Sequence, residues 1–255
     1  MKTVICGKGG SGKSTITALL AKKMAARGKS VLVIDTDESN LGLHRQLGLE
    51  APDDFMAYIG GKKAFVQQMM EKMPKGEPIT LFEDSWSIAD VPDQYLSKKD
   101  GIGLIAIGKI HEFGEGCACP MGALSKNLID RIGANDADHI FIDTEAGIEH
   151  FGRGIEQGCD QILAVVEPSY ESLLLCSQIE KMGRNIEKPV SFILNKVEGD
   201  NRETLSRSLD PSHIVGCIPR NAGVASVGLN GSEMDLDLQE IDEIADYIET
   251  ASGGI

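Results

Sequence analysis

A chain of 255 residues with an apolar content of 42% is long enough to bury the core of one large α/β domain. Its formal net charge of −14 opposes non-specific binding to DNA or to anionic lipid, because both would repel an acidic surface. No apolar run approaches the ~18 residues of a membrane-spanning helix and no signal peptide precedes the first predicted strand, so we expect a cytoplasmic protein that binds neither nucleic acid nor membrane.

The first motif occupies residues 7–15 and reads Gly-Lys-Gly-Gly-Ser-Gly-Lys-Ser-Thr. It fits the pattern G-x-x-x-x-G-K-[ST] and stands between a short apolar run, residues 3–6, and a helical pattern, residues 14–27. This strand–loop–helix context favours a phosphate-binding loop over a glycine-rich turn that only caps a helix. The residues predicted to bind ATP or ADP in this loop are Gly9, Gly10, Ser11, Gly12, Lys13, Ser14 and Thr15.

Each residue type in this loop has a physical role. The glycines let backbone N–H groups and the helix N-terminus approach an oxygen-rich ligand. Lys13 supplies a positive charge to the β- and γ-phosphates, Ser14 places a hydroxyl group where Mg²⁺ would bind, and Thr15 assists at the α-phosphate. The loop therefore predicts binding of ATP together with Mg²⁺.

Beyond the loop, apolar runs typical of buried parallel strands alternate with helical patterns. The strands and the loops that end them cover residues 31–37, 102–107, 139–147, 161–168, 190–196 and 214–221, and the later helices cover 122–132, 170–186 and 238–249. This alternation predicts a doubly wound, mainly parallel α/β sheet of seven or eight strands, in a single P-loop ATPase domain over residues 1–255. Ligands are expected at the carboxyl edge of such a sheet.

Residues 50–100 are the least informative part of the chain. Trp86 and Tyr95 lie there in short segments that fit either edge strands or a surface for a partner. The sequence does not choose between these interpretations.

A second lysine, Lys8, follows the first glycine of the loop. The sequence Lys-Gly-Gly-x-Gly-Lys-Ser resembles the deviant Walker A motif of the MinD, ParA, nitrogenase iron protein and arsenite ATPase superfamily. The resemblance implies that Lys8 acts on the nucleotide of a partner subunit, and so predicts a homodimer. By the same resemblance, Asp37 is the aspartate associated with ATP hydrolysis; the alternative is an acidic cap for the segment that starts near Asn40.

The strand that begins at residue 139 ends in Asp143, where a carboxylate would hold Mg²⁺ through water. The sequence Asp-Thr-Glu-Ala-Gly that follows resembles the second switch of the superfamily, whose backbone would sense the γ-phosphate through Gly147. In related nucleotide-binding folds an asparagine at the position of Asn195 hydrogen-bonds the adenine edge, and Pro219 is a candidate for the wall of the purine pocket. Lys8, Lys13 and Asp37 are thus the predicted catalytic residues.

The chain has six cysteines, which we do not expect to form a disulfide framework in a reducing compartment. Cys117 and Cys119 lie between glycines and a proline, in a predicted loop, and are candidate metal ligands. Two thiolates do not close a tetrahedral site, so the second subunit of a dimer would supply another pair. His111 is either a solvated residue or an additional nitrogen ligand. The other cysteines lie in or beside apolar runs and are predicted to be buried: Cys6, Cys159, Cys176 and Cys217.

The deviant Walker A motif, the Gly-Cys-x-Cys-Pro loop and the Asp-Thr-Glu-Ala-Gly switch occur in this order over nearly the whole chain. Together they resemble the CooC-type ATPases, which assist nickel incorporation into carbon monoxide dehydrogenase; the accessory protein of acetyl-CoA synthase has a similar pattern. The resemblance implies that Cys117 and Cys119 bind Ni²⁺, or Zn²⁺ as a substitute, that ATP and metal promote the homodimer, and that carbon monoxide dehydrogenase is the client.

Two other functions stay open. An iron–sulfur scaffold or electron carrier would resemble the nitrogenase iron protein, which needs a further cysteine just after the Walker B switch, where residues 147–150 have none. A positioning ATPase acting on DNA or membrane would need a basic face or a basic C-terminal helix. The acidic charge of the chain opposes that function, and the helix predicted at 238–249 is amphipathic but acidic, which is typical of a helix docked on the domain surface.

Overall fold

The computed structural model describes residues 1–72, 81–82, 85–110, 119–133 and 138–252. In these ranges eight strands join in a single sheet. The strands are β1 (Lys2–Gly7), β2 (Val31–Asp35), β3 (Ser97–Lys99), β4 (Ile102–Ala106), β5 (His139–Asp143), β6 (Gln161–Val166), β7 (Val190–Val197) and β8 (Ile214–Pro219).

The order of strands in the sheet is β3-β4-β2-β5-β1-β6-β7-β8. Among the described strands, neighbours run parallel except β3 with β4, which confirms the predicted doubly wound and mainly parallel sheet. The register pairs Asp35 of β2 with Asp143 of β5, and Asp143 in turn with Ile5 of β1. The two acidic strand ends and the start of the glycine-rich loop therefore meet at one edge of the sheet.

Helices cover both faces of the sheet, so the strands are buried on both sides and read as continuous apolar runs. Val4 and Cys6 of β1 contribute to the core on one face, and Ile5 between them contributes to the core on the other. The described helices are α1 (Lys13–Ala26), α2 (Leu43–Leu47), α3 (Gly61–Lys72), α4 (Cys119–Arg131), α5 (Glu149–Arg153), α6 (Tyr170–Asn185), α7 (Asn201–Ser208), α8 (Ala222–Asn230) and α9 (Gln239–Ser252).

Helix α4 begins at Cys119, three residues before the predicted start at residue 122. The backbone of Cys119 therefore lies in the first helical turn and not in a loop, which corrects the predicted environment of that residue. Pro120 explains the earlier start, because the fixed φ of proline suits the first turn of a helix, where its missing N–H has no intrahelical partner to lose.

Trp86 and Tyr95 belong to an aromatic cluster in the described part of the chain, and neither residue lies in one of the described strands. The ring of Trp86 lies 4.6 Å from that of Phe82, and the ring of Tyr95 meets that of Phe55 edge-on at 5.7 Å. Phe55 and Phe82 are buried in the core that also includes Tyr95. Sequence alone left this region open because these rings come from short segments that meet only in the folded chain.

The C-terminal helix α9 packs on the sheet through Ile241, Ile244 and Ile248, as its amphipathic pattern predicted. Its acidic face pairs with Arg27 of α1, whose guanidinium lies 2.9 Å from a carboxylate oxygen of Asp242. The helix is therefore docked on the domain through both apolar and charged contacts. No helix among the residues described is long and apolar enough to cross a membrane.

Burial of the cysteines in apolar runs is confirmed for three of the four. Cys6, Cys159 and Cys176 are buried, whereas Cys217 is half-buried. Burial raises the pKa of the Cys159 and Cys176 thiols to about 12 and that of Cys6 well above its usual value. These three thiols therefore stay protonated at neutral pH and behave as small apolar side chains.

Candidate nucleotide-binding site

The glycine-rich loop joins the end of β1 to the start of α1, as predicted. Gly12 has a φ of 101°, in the left-handed region that favours glycine. A Cβ atom at Gly12 would lie 2.5 Å from the side-chain nitrogen of Asn195, so a larger residue would also collide with Asn195. Inside the loop, the N–H of Ser11 donates to the carbonyl of Lys8 at 3.1 Å. The loop is thus closed on itself and supported from β7.

Lys13 begins helix α1 and is buried. Its Nζ atom lies 3.4 Å from the carbonyl oxygen of Lys8, so the side chain curls back over the loop. A long contact to one neutral carbonyl leaves the ammonium group free to donate to an anionic ligand. This position suits the predicted interaction with a phosphate.

Ser14 and Asp143 form the predicted magnesium site. The Ser14 hydroxyl donates to Oδ2 of Asp143 at 2.6 Å, and Asp143 is buried at the end of β5. Burial raises the pKa of Asp143 to about 6, against the lowering effects of the Ser14 hydrogen bond and the Lys13 charge. A hydroxyl and a carboxylate oxygen beside a phosphate loop are the ligands that Mg²⁺ uses in nucleotide sites, so the residues present fit the ion.

Asn40 joins this pair, although sequence reasoning treated it only as the start of a segment that Asp37 would cap. Its side-chain nitrogen donates to the Ser14 hydroxyl at 2.9 Å and to Oδ2 of Asp143 at 3.2 Å. The signal that could have found it is its place three residues after Asp37, in the loop that leaves β2 toward the nucleotide. Asn40 therefore holds both predicted magnesium ligands from the side of β2.

Asp37 lies just beyond the end of β2, near Asp143. Its carboxylate accepts the backbone N–H of Ser39 at 2.9 Å and the Ser39 hydroxyl at 2.6 Å. The side chain thus caps the turn that leads to Asn40, which is the alternative role considered from sequence. The same carboxylate lies close enough to Asp143 to raise the pKa of that buried residue, so Asp37 stands beside the magnesium site; its catalytic role stays a prediction.

Gly147 lies against the loop, as expected for a switch that senses phosphate. Its N–H donates to the carbonyl of Gly7 at 3.1 Å, and its φ of 92° again requires glycine. Its carbonyl accepts from Nε2 of His150 at 3.1 Å, and Nδ1 of this buried histidine contacts the buried carboxylate of Glu156. Sequence reasoning missed His150 and Glu156, because a histidine six residues from a glutamate carries no recognisable motif.

A cavity of about 120 Å³ opens beside the loop, where a purine base would lie. Its lining includes Thr15, which was predicted at the α-phosphate, and Asn195 and Pro219, which were predicted for the purine pocket. The side-chain nitrogen of Asn195 donates to the carbonyl of Ser11 at 2.8 Å, and its oxygen accepts the N–H of Lys196 at 2.9 Å. Asn195 therefore supports the phosphate loop, and its contact with adenine stays a prediction.

The side chain of Lys8 contacts residues of the same chain in this structure. Its Nζ atom is 3.0 Å from Oε1 of Glu167 and 3.4 Å from the hydroxyl of Ser169. The other oxygen of Glu167 lies 3.6 Å from Lys196, whose Nζ donates to the carbonyl of Gly10. Glu167 thus links two lysines at the rim of the loop, and this contact could not be predicted from sequence because Glu167 follows a strand that is distant in the chain.

Cys117 and His111 lie outside the described residues, and so does the side chain of Cys119. Among the residues whose side chains are described, no three His, Cys, Asp or Glu residues form a group that could hold a metal ion. The predicted soft-metal site therefore stays a prediction from sequence, whereas the nucleotide site is assembled in the structure. The predicted residues that the fold brings to one edge of the sheet are Lys8, Gly9, Gly10, Ser11, Gly12, Lys13, Ser14, Thr15, Asp37, Asp143, Gly147, Asn195 and Pro219.

Known proteins similar to this chain include nucleotide-binding domains, which is consistent with the geometry of this site. Residues 2–234 match the family model described as CbiA, the CobQ/CobB/MinD/ParA nucleotide binding domain. An ATP-binding protein of Methanocaldococcus jannaschii is 48% identical over 97% of this chain and 99% of its own length. The carbon monoxide dehydrogenase accessory protein CooC of Rhodospirillum rubrum is 32% identical over 91% of this chain and 88% of its own length.

Solved structures show the same fold at low sequence identity. The MinD cell division protein of Aquifex aeolicus superposes with a TM-score of 0.69 at 21% identity, covering 98% of this chain and 96% of that protein. The septum site-determining protein MinD of Pyrococcus horikoshii, solved with Mg-ADP, gives a TM-score of 0.68 at 16% identity, covering 99% and 96%. At these identities the likeness concerns the fold of the chain.

Proposed function

Because the chain belongs to the CobQ/CobB/MinD/ParA family of nucleotide-binding domains and is an ATPase that binds ATP with Mg²⁺, we propose that it is a dimeric metallochaperone that couples ATP hydrolysis to delivery of a soft metal ion. Cys117 and Cys119 of both subunits bind Ni²⁺, or Zn²⁺ as a substitute, as cargo for a client metalloenzyme. The client is carbon monoxide dehydrogenase or acetyl-CoA synthase.

One observation carries this proposal. The chain has a Cys-x-Cys pair, Cys117 and Cys119, and is 32% identical over 91% of its length to an accessory protein of carbon monoxide dehydrogenase. Thiolate ligands select soft and borderline metals, and two of them leave a tetrahedral site half complete. A two-fold axis beside the pair would supply the missing ligands from a second copy of the chain.

Within the ATPase site, each residue has a separate task. Lys13 holds the β- and γ-phosphates, and Ser14 with Asp143 holds Mg²⁺, which would neutralise phosphate charge when it is bound. Asp37 orients the attacking water. Lys8 reaches the nucleotide of the partner subunit, so that ATP brings the two cysteine pairs together.

The test is the metal content per chain of anaerobically purified protein, measured by equilibrium dialysis against Ni²⁺ and against Zn²⁺, with and without ATP. The Cys117→Ser, Cys119→Ser double variant should lose the bound metal and retain nucleotide binding. The control is Cys217→Ser, which removes a half-buried thiol on β8. It should behave like the natural protein.

Unchanged metal stoichiometry in the double variant would contradict the metallochaperone function. A brown protein whose visible absorption is bleached by dithionite would instead identify an iron–sulfur carrier. Co-sedimentation with DNA or liposomes that needs ATP and is lost in salt would favour a positioning ATPase.

A further inference from the structure

Lys109 follows strand β4, and its described hydrogen bonds involve neither the phosphate loop nor the predicted magnesium ligands. Its side chain is only 10% exposed. The Nζ atom lies 2.6 Å from Oδ2 of Asp35 and 2.6 Å from the backbone carbonyl oxygen of Asp37. One ammonium group therefore binds both ends of the Asp35-Thr36-Asp37 turn.

The backbone that carries this lysine is held on both sides. The N–H of Lys109 donates to Oδ2 of Asp54 at 3.1 Å, and the N–H of Ile110 donates to the carbonyl of Glu38 at 3.1 Å. Just before it, the N–H of Ile107 donates to the carbonyl of Asp35 at 3.0 Å. Hydrogen bonds thus hold the backbone on both sides of Lys109, which fixes the position from which its side chain reaches the turn.

The contacts also fix the two peptide units that flank the Cα atom of Asp37. Its N–H donates to Oδ1 of Asp35 at 3.1 Å, and its carbonyl accepts from Lys109. With both peptide planes held, the direction of the Cα–Cβ bond of Asp37 is set. The direction in which the Asp37 side chain leaves the backbone therefore depends on the pair formed by Asp35 and Lys109, and its carboxylate is held in addition by Ser39.

Asp35 needs a cation at this place. It is buried, and it pairs across the sheet with Asp143. Burial raises the pKa of Asp35 to about 7, and Asp143 adds to this effect, whereas the charge and hydrogen bond of Lys109 oppose it. Without Lys109, the buried Asp35 carboxylate would face the Asp143 carboxylate and lose the ammonium group bound to it.

We propose that Lys109 is a positioning residue for ATP hydrolysis, which holds the Asp35 carboxylate and the Asp37 carbonyl and so aims the Asp37 carboxylate at the attacking water. This inference rests on the proposed role of Asp37. Lys109 makes no described hydrogen bond to the loop or to the magnesium ligands, so its contacts reach the site through the turn, while its charge also acts on Asp143.

The test compares Lys109→Met with Lys109→Arg, and with Lys181→Met as a matched control on the exposed face of α6. A misplaced catalytic group lowers the rate more than it lowers binding, so Lys109→Met should lose about 10- to 100-fold in kcat. Its Kd for Mg-ADP should stay within about threefold of the natural value, because the phosphate and magnesium ligands are intact. Lys109→Arg keeps the cation and should recover part of kcat, and Lys181→Met should lose nothing.

A second variant separates a loss of catalysis from a loss of stability. Asp35→Asn, Lys109→Met removes both charges of the buried pair, so its Tm should exceed that of Lys109→Met alone. If Lys109 acts through Asp35, the loss of kcat in the double variant should be smaller than the product of the two single losses. Multiplicative losses, or a fall in nucleotide affinity that matches the fall in kcat, would assign Lys109 a structural role only.

The proposed role of Asp37 is tested separately. Natural turnover in Lys109→Met alongside slow turnover in Asp37→Asn would overturn the positioning role and leave Asp37 catalytic. Natural turnover in Asp37→Asn would instead overturn the catalytic role of Asp37, and the inference on Lys109 would fall with it.

Discussion

The Nζ atom of Lys8 lies 3.0 Å from Oε1 of Glu167 in the same chain. Lys8 is the residue that distinguishes this loop from an ordinary phosphate loop, and its proposed target is the nucleotide of a partner subunit. In the single chain its side chain is 36% exposed and that of Glu167 is 19% exposed. The lysine must therefore leave an ion pair at the rim of the site before it can act on a partner.

This contact predicts that Glu167→Gln promotes the dimer. Removal of the carboxylate lowers the free energy needed to release Lys8, and a partly exposed ion pair contributes little, so dimer affinity with an ATP analogue should rise about two- to fivefold. Sedimentation velocity over a range of protein concentrations measures this. The control is Glu171→Gln, since the Glu171 carboxylate is 70% exposed and 4.0 Å from Lys8. Weaker dimerisation of Glu167→Gln would mean that Glu167 serves the dimer itself.

Asn195→Ala should weaken binding of the phosphate part of the nucleotide. The variant loses the buried hydrogen bond from the Asn195 side chain to the Ser11 carbonyl, which costs about 1–3 kcal/mol when the acceptor is left unpaired. Calorimetry should therefore show a similar loss of affinity for Mg-ADP and for Mg-pyrophosphate, which has no base.

The matched control for this prediction is Asn221→Ala. Asn221 lines the same cavity, but its side chain caps helix α8 by accepting from Gly223 and Val224 and does not touch the loop. It should leave pyrophosphate binding unchanged. A loss confined to Mg-ADP in Asn195→Ala would assign Asn195 to adenine recognition, as the sequence predicted.

The parts of the site that sequence predicted share one property, which is that their signal is contiguous. The loop that contains Lys13 and Ser14 is one motif, and Asp143 ends one apolar run, so local patterns are enough to find them. The parallel sheet follows from the alternation of strands and helices. These predictions did not need the strand order.

Two of the contacts that sequence could not predict join distant segments. Glu167 meets Lys8 because β6 lies beside β1, and Lys109 meets Asp35 because β4 lies beside β2. Neither neighbour relation can be derived from the composition of the strands, because every central strand is similarly apolar. His150 was missed for another reason, namely that its role depends on a backbone carbonyl, which any residue has.

His150→Leu should slow ATP hydrolysis and lower stability, whereas His150→Gln should behave more like the natural protein. Nε2 of His150 must carry the proton in its contact with Gly147, because a carbonyl oxygen only accepts. Leucine removes this donor and leaves the buried Glu156 without its partner, at a cost of about 1–3 kcal/mol or more. Glutamine can supply an N–H at the position of Nε2.

Thermal unfolding with steady-state ATPase assays separates the two effects in these variants. If the contact holds the switch, kcat of His150→Leu should fall at temperatures where the protein is fully folded. Equal kcat in both variants below the Tm would mean that His150 contributes to stability alone.

Native alkylation should separate the three buried cysteines from the pair Cys117 and Cys119. Burial raises the pKa of Cys159 and Cys176 to about 12, so iodoacetamide at pH 8 should leave them unmodified along with Cys6. Cys117 and Cys119, if they are accessible ligands, should react first, and peptide mass spectrometry would locate the label.

Metal should then protect only this reactive pair. Zn²⁺ added at one ion per two chains, together with an ATP analogue, should slow alkylation of Cys117 and Cys119 and leave Cys217 unchanged, because Cys217 lies on β8 and its pKa is raised by burial. Equal protection of Cys217 would indicate a change of the whole fold in place of metal binding. Rapid labelling of Cys176 in the absence of denaturant would contradict its burial on the inner side of α6 and the high pKa of its thiol.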